Sequence, residues 1–263
     1  MSFIKRCIKC NCNAEMTSHY KDWFDNHCCA DHLYNKEVFY CSSCGKLHLR
    51  DNGRSYPNGF FFCNDCIGIE VKETDLKRIV PSVIKLLRHV GFEDIIIDNF
   101  TCVIGSTDIF IKENMLDASG FHQTISCKRD EHGISELKEK IVIREHFSEL
   151  QFRSILAHEI LHSWQARNNL TEFYGYSKTE HNKKAMEGFA QMGSYLVLKD
   201  FLRDRPNNRM ANWKLENLHQ SIDEVYGIPF LKILKQFNNY PGSIRQKWYY
   251  IIRCAREGKL NID

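Results

Sequence analysis

Between Thr74 and Gly91 the apolar residues Leu76, Ile79, Val80, Val83, Ile84, Leu87 and Val90 share one face at helical spacing. This predicts a helix that stops at Gly91, with Pro81 either kinking it or marking its true start. Shorter runs with strand character follow at Asp94 to Ile97, Thr101 to Ile104, Asp108 to Lys112 and Thr124 to Lys128. Gly105, Ser106 and Thr107 predict that the second and third of these form a hairpin. A further apolar strand is expected from Lys140 to Arg144. Ser148 with Gln151 reads as a capping box, and Phe147 can staple onto Phe152, so the next helix is expected to begin at Glu149. Leu150, Ala157, Leu161 and Trp164 form its core stripe, and Asn168 and Asn169 close it.

A second helix is expected after a capping box at Ser177 and Glu180, burying Phe189, Met192 and Leu196 and leaving Glu187 and Gln191 together on another side. Helices are then predicted over Trp213 to Tyr226, over Pro229 to Phe237 and from Pro241–Gly242 through Arg256, where Trp248 to Ile252 reads as core. Upstream of all this, the turns at Asp51–Gly53 and Tyr56–Gly59, followed by Phe60, Phe61 and Phe62, read as two short hairpins with aromatic packing under a metal.

Composition narrows the class. With 263 residues and 43% hydrophobic content, the chain can build one substantial domain and a smaller one. The boundary is placed at residue 70: a zinc-binding segment over 1–70 and a catalytic domain over 71–263. A net charge of +3, with the signs interspersed, argues against nucleic acid as a partner. No apolar run approaches the ~20 residues of a membrane-spanning helix, and the first residues lack a signal-peptide core. A cytoplasmic protein that does not engage membranes is expected.

Nine of the twelve cysteines lie in the first 66 residues. Cys7, Cys10, Cys29 and His32 recur at an offset of 34 as Cys41, Cys44, Cys63 and Cys66. Each set reads C-x2-C-x18-C-x2-(C or H), in which two tight knuckles complete the tetrahedron that zinc accepts. Two structural zinc ions are therefore expected, and their binding energy would supply much of the folding energy of modules too small to bury a core. Cys12, His27, Cys28 and Asp31 could each replace a neighbour in the first module. The repeat favours Cys29 and His32, with Cys12 and Cys28 as bystander thiols and His48 as a surface residue. Such modules serve most often as docking platforms for a protein partner or as structural props.

The chemistry centres on His158-Glu159-Ile160-Leu161-His162. On a helix the two histidines share a face and can hold one catalytic zinc, with Glu159 beside a water that the zinc activates. A third ligand must come from downstream. Glu187 is favoured because helix packing would fix it, whereas the rival, His181, sits in a first turn rich in charge. Lys140 to Arg144 is read as an edge strand beside the metal, so that Ile141, Val142 and Ile143 would pair with an extended protein substrate; the alternative is an interior strand without substrate contact. For the oxyanion donor the candidates are Tyr174, Tyr176, His181 and Tyr195.

The run from Ser154 to Trp164, followed by Glu187-Gly188 and Gln191, resembles the peptidase domain of the LIM-domain, ubiquitin-activated zinc peptidases that restrict organ growth in plants, and of their bacterial relatives. A double zinc module upstream is that family's arrangement, and Gln123-Thr124-Ile125 and Val225-Tyr226-Gly227 with Phe230 are weaker echoes. The resemblance implies an α+β, gluzincin-like peptidase domain behind a LIM-like or tandem zinc-ribbon domain, with His158, His162 and Glu187 as zinc ligands and Glu159 as catalyst. Here eight residues separate His32 from Cys41, a longer join than the family's, and the chain has no room for its ubiquitin-interacting helices. Ubiquitin is thus a partner by resemblance alone. Two other classes stay open: a zinc-module scaffold with little turnover, and, were His181 the ligand, a SprT-like DNA-associated protease.

Overall fold

The computed structural model describes residues 5–13, 18–57, 59–96, 100–130, 133–168 and 180–262. Three two-stranded antiparallel hairpins come first: β1 (His19–Lys21) with β2 (His27–Cys29), β3 (Val38–Tyr40) with β4 (Leu47–Leu49), and β5 (Gly53–Ser55) with β6 (Phe61–Cys63). The short helices α1 (Ala30–Tyr34) and α2 (Asn64–Gly68) leave the ends of β2 and β6. The sequence repeat is therefore a structural one, since Cys29 and Cys63 each end a strand and His32 and Cys66 each sit in the helix that follows. Phe61 stacks on Phe39 at 5.0 Å, as the aromatic run predicted.

α3 (Glu73–Val90) starts one residue before Thr74 and runs through Pro81. It ends at Gly91, whose φ of +122° favours glycine. Asp94 is in a turn rather than a strand, and Ile97 lies outside the described residues. β7 (Phe100–Gly105) is followed by a helix, α4 (Thr107–Lys112), so the expected hairpin between Thr101 and Lys112 does not form. Ile109-Phe110-Ile111 is too short an apolar run for periodicity to separate strand from helix, and burial of Phe110 against Phe121 and Val142 decides it.

β8 (Gly120–Asp130) and β9 (Gly133–Arg144) complete a mixed sheet of order β7-β9-β8, with β7 parallel and β8 antiparallel to β9. This corrects the reading of Lys140 to Arg144 as an edge. The segment is the central strand, and Ile141, Val142 and Ile143 are fully buried and hydrogen-bonded on both sides. β8 is the edge on the side of the catalytic candidates.

α5 (Glu149–Arg167) lies across the sheet and carries both candidate histidines; α6 (Glu180–Asp204), α7 (Arg209–His219), α8 (Gly227–Asn239) and α9 (Ile244–Arg256) complete the body. The helix expected from Trp213 to Tyr226 is shifted toward its N-terminus and ends at His219. Ser148 is the N-cap of α5 as expected, but the capping box is absent: its hydroxyl has no partner, and Gln151 accepts instead from Lys214 Nζ at 2.5 Å. Phe147 packs edge-on against Phe60 and Phe62. Ser177 and Asn169 lie outside the described residues.

α5 and α6 pack closely because of Gly193, where a β-carbon would come within 2.7 Å of the Ala157 carbonyl oxygen. Gly188, on the same helix, makes room instead for Pro229 and Phe230 of α8. Phe92 anchors the core, edge-on to Trp164, Phe189 and Trp248. Phe62 and Val71 belong to the same core, which therefore continues from the second cysteine module into the helical body. Arg144, buried between the rings of Phe60 and Phe110, donates to the carbonyls of Leu116 and Ala118 and pins the segment that enters β8.

One buried network joins sheet and helix. The Glu139 carboxylate accepts from His122 Nε2, from Ser163 Oγ at 2.6 Å and from Arg167 Nη2 at 3.1 Å. Burial pushes its pKa up, but the bonds from His122 and Ser163 and the charges of His122 and Arg167 outweigh that and hold it below the ordinary glutamate value. A depressed folded-state pKa means the contribution is complete above about pH 4.3 and is lost as pH falls through the folded value. Glu139→Gln is therefore expected to lose about 3 kcal/mol at pH 7 in urea unfolding, with the gap to wild type narrowing below pH 4. Parallel stability profiles from pH 7 to pH 3 would contradict this account of the network.

Candidate metal centre and cleft

The turn spacing of α5 places His158 and His162 one above the other, with ring centroids 4.7 Å apart, and α6 brings Glu187 against both. Glu187 Oε2 is 3.3 Å from His158 Nε2 and 3.2 Å from His162 Nε2, and the two Nε2 atoms are 3.1 Å apart. With metal–nitrogen and metal–oxygen bonds of 2.0–2.1 Å, the edge of a tetrahedron is about 3.3 Å. Three lone-pair atoms held at this spacing repel one another unless a cation or a proton lies between them, so the donor set fits a divalent ion. His181 lies at the exposed start of α6 and is not part of this group.

The tautomer of His162 is fixed by a residue that the motif does not include. Gln165 Nε2 donates to the Met186 carbonyl, which turns its Oε1 to accept from His162 Nδ1 at 2.8 Å and leaves His162 Nε2 as an acceptor. Burial disfavours a charged His162, but the bond to Glu187 and the charges of Glu187 and Glu159 raise its pKa to about 9 when no metal displaces the proton. Gln165→Ala is expected to weaken metal binding at this group by about 10–100-fold in competition with a chelating dye, with the fold retained. An unchanged affinity would show that Gln165 only packs.

Glu159 is buried and lines a cleft of about 490 Å³ together with the three candidate ligands, Gly120, His122 and Tyr226. Gly120 opens β8 beside it, because a β-carbon there would lie 2.8 Å from Ile155 and 3.3 Å from Glu159. Among the described residues no strand pairs with the outer side of β8. Of the proposed oxyanion donors, Tyr174 and Tyr176 lie outside the described residues, and Tyr195 packs against His219 and Phe230 away from the cleft. Among the described residues, Tyr226, 6.2 Å from the His158 ring, is the tyrosine that lines the cleft. Burial, then the charges of Glu187, Glu159 and Asp223, push its phenol up to about 12, so it is a hydrogen-bond donor at neutral pH.

The cysteine groups assemble as the spacing predicted: Cys7, Cys10, Cys29 and His32, and Cys41, Cys44, Cys63 and Cys66, each have ligand atoms within 4.8 Å of one another. The sulfur pairs Cys10–Cys29 and Cys44–Cys63 stand 3.8 Å and 3.9 Å apart, against a tetrahedral edge of about 3.8 Å for metal–sulfur bonds of 2.3 Å. Both groups can hold a metal ion. His32 Nδ1 pairs with Glu37, which turns Nε2 toward the cysteines. Cys12 is not one of the four clustered ligands of the first group, although its sulfur lies 3.1 Å from Cys29 and 3.2 Å from Cys10. One expectation needs correction: His48, read as a surface residue, is half-buried with its Nε2 withdrawn from solvent, and the neighbouring Cys63 raises its pKa. Cys28 is a buried thiol pushed up to about 12, chiefly by burial, and donates to the Cys29 carbonyl.

Compared with known proteins, the chain matches no protein-family model, no curated protein and no solved structure. Among the described residues no helix is long and apolar enough to cross a membrane.

Proposed function

We infer that this chain is a zinc-dependent endopeptidase. The observation that carries the reading is the convergence of His158, His162 and Glu187 at tetrahedral spacing beside the buried carboxylate of Glu159, in a cleft bordered by an open strand edge. The resemblance of the Ser154–Trp164 run and of Glu187-Gly188 to the LIM-domain plant peptidases and their bacterial relatives supports the same reading. A zinc ion held by His158, His162 and Glu187 would polarise the scissile carbonyl and make a water more acidic. Glu159 takes the proton from that water and returns it to the leaving amine. The Tyr226 hydroxyl donates to the oxygen that gains charge during attack. The outer edge of β8 near Gly120 to Thr124 binds an extended substrate through main-chain hydrogen bonds, the role that Ile141 to Ile143 cannot fill.

The two cysteine modules hold structural zinc in this reading. The second, sharing its core with the helical body, is a prop for the cleft; the first is the module free to dock a protein partner. The test is hydrolysis of an unfolded protein by purified chain. Cleavage is expected to disappear with a chelator and return on adding zinc, while a scaffold without turnover would give none under either condition.

A further inference from the structure

A second cavity, of about 460 Å³, opens from the metal cleft and shares Gly120, His158, Glu159 and Tyr226 with it. Beyond these it is lined by the polar Gln151, Gln191, Asn217 and Lys214, by one further acid, Asp117, which is exposed, and by apolar side chains that include Leu198 and Trp213. Lys214 is half-buried, and its ammonium donates to Gln151 Oε1 at 2.5 Å. Among the described residues its other two protons have no hydrogen-bond acceptor, and its further contact is with the ring of Trp213, 5.7 Å away. Among the described residues no aspartate or glutamate forms an ion pair with it, although most other lysines and arginines withdrawn from solvent here have such a partner or carbonyl acceptors. Burial pushes its pKa down to about 8 against the upward pull of Cys44, Cys41 and Cys66, so it is a poorly compensated cation at neutral pH. A cation in this state gains most from an anion that arrives dehydrated in the same cavity.

We propose that Lys214 is a specificity residue: the cavity takes a carboxylate of the substrate next to the scissile bond, which then pairs with the Lys214 ammonium. Resting on the peptidase reading above, the proposal adds a substrate class to it. Two sources share the chemistry, an aspartate or glutamate side chain and the free C-terminus of a short product or substrate. Tyr226, Gly120 and the metal ligands hold the reacting peptide at one end of the cavity, and Lys214 reads its neighbour at the other.

The experiment uses a peptide library with free or amidated C-termini, cleaved by wild type, Lys214→Met and Gln151→Glu, with products sequenced by mass spectrometry. Gln151→Glu places an internal carboxylate on the same ammonium and guards against misfolding of Lys214→Met; metal content at the cysteine groups is counted for each. Wild type is expected to prefer acidic over amide residues at one flanking position by about tenfold or more, and both variants to lose that preference. If amidation alone abolishes it, the carboxylate is the C-terminus. A wild type without acidic preference, or variants that keep it, overturns the proposal. The inactive Glu159→Gln protein separates the two readings, with peptide binding followed by fluorescence anisotropy. Lys214-dependent binding of acidic peptides without any cleavage by wild type keeps the pocket and rejects the peptidase, and binding indifferent to Lys214 together with no cleavage rejects both.

Discussion

Cys63→Ser is expected to lose one metal ion per chain and to be the most destabilised single variant of this protein, by at least ~5 kcal/mol or to the point of not folding. Cys63 ends β6, its amide donates to Cys41 Sγ at 3.4 Å, and its neighbour Phe62 is part of the main core. Zinc binding by small modules is worth about 10–16 kcal/mol, most of it spent on folding the module. Here the loss would not stay local. Trp213 of α7 closes over Gly45, whose φ of +75° and absent side chain admit the ring, and the Ser148 amide donates to Ser43 Oγ at the start of the candidate catalytic helix. Cys28→Ala, equally buried but outside both ligand groups, is the control and should keep the metal count. Elemental analysis with thermal unfolding reads both; a Cys63→Ser protein with wild-type metal content and melting temperature would remove the structural role given to this module.

Glu159→Gln is expected to reduce peptide hydrolysis by about a thousandfold or more while leaving the metal bound. The amide preserves the shape of a buried side chain that is no part of the ligand triangle, but it cannot take a proton from water. Glu187→Gln should behave differently, losing the metal together with activity, because Glu187 Oε2 faces both histidine nitrogens. Tyr226→Phe should retain metal and lose about a hundredfold in kcat, the worth of one oxyanion donor. Three variants with three distinct pairings of metal and activity separate the base, the ligand and the donor. If Glu159→Gln hydrolysed at the wild-type rate, general-base catalysis by this residue would be excluded.

What the sequence made legible is the chemistry written in local spacing. The offset of 34 between the cysteine sets, and the i, i+4 histidines on a helix beginning at Glu149, follow from knuckle and helix geometry. Glu187 could be favoured over His181 because a mid-helix position implies a fixed one. Illegible were relations set by tertiary packing. Whether Lys140 to Arg144 is edge or centre depends on where β7 and β8 fall, and strand order has no local signal. Gly188 and Gly193 are both on α6, and only the position of α8 decides which of them meets α5. The Ser148 capping box fails because Lys214, 63 residues beyond Gln151, captures its glutamine. Gln165, His122, Tyr226 and Lys214 carry no motif, and each acquires its place from a partner distant in sequence or in another element. The one available hint was Tyr226, singled out within Val225-Tyr226-Gly227.

The central claim, a metal-dependent peptidase acting through Glu159, is tested most directly by mass-spectrometric mapping of new protein N-termini in cells carrying wild type or Glu159→Gln at equal abundance. The account predicts a set of cleavage sites present with wild type and absent with the variant. Identical sets in the two, at matched metal content, would contradict it.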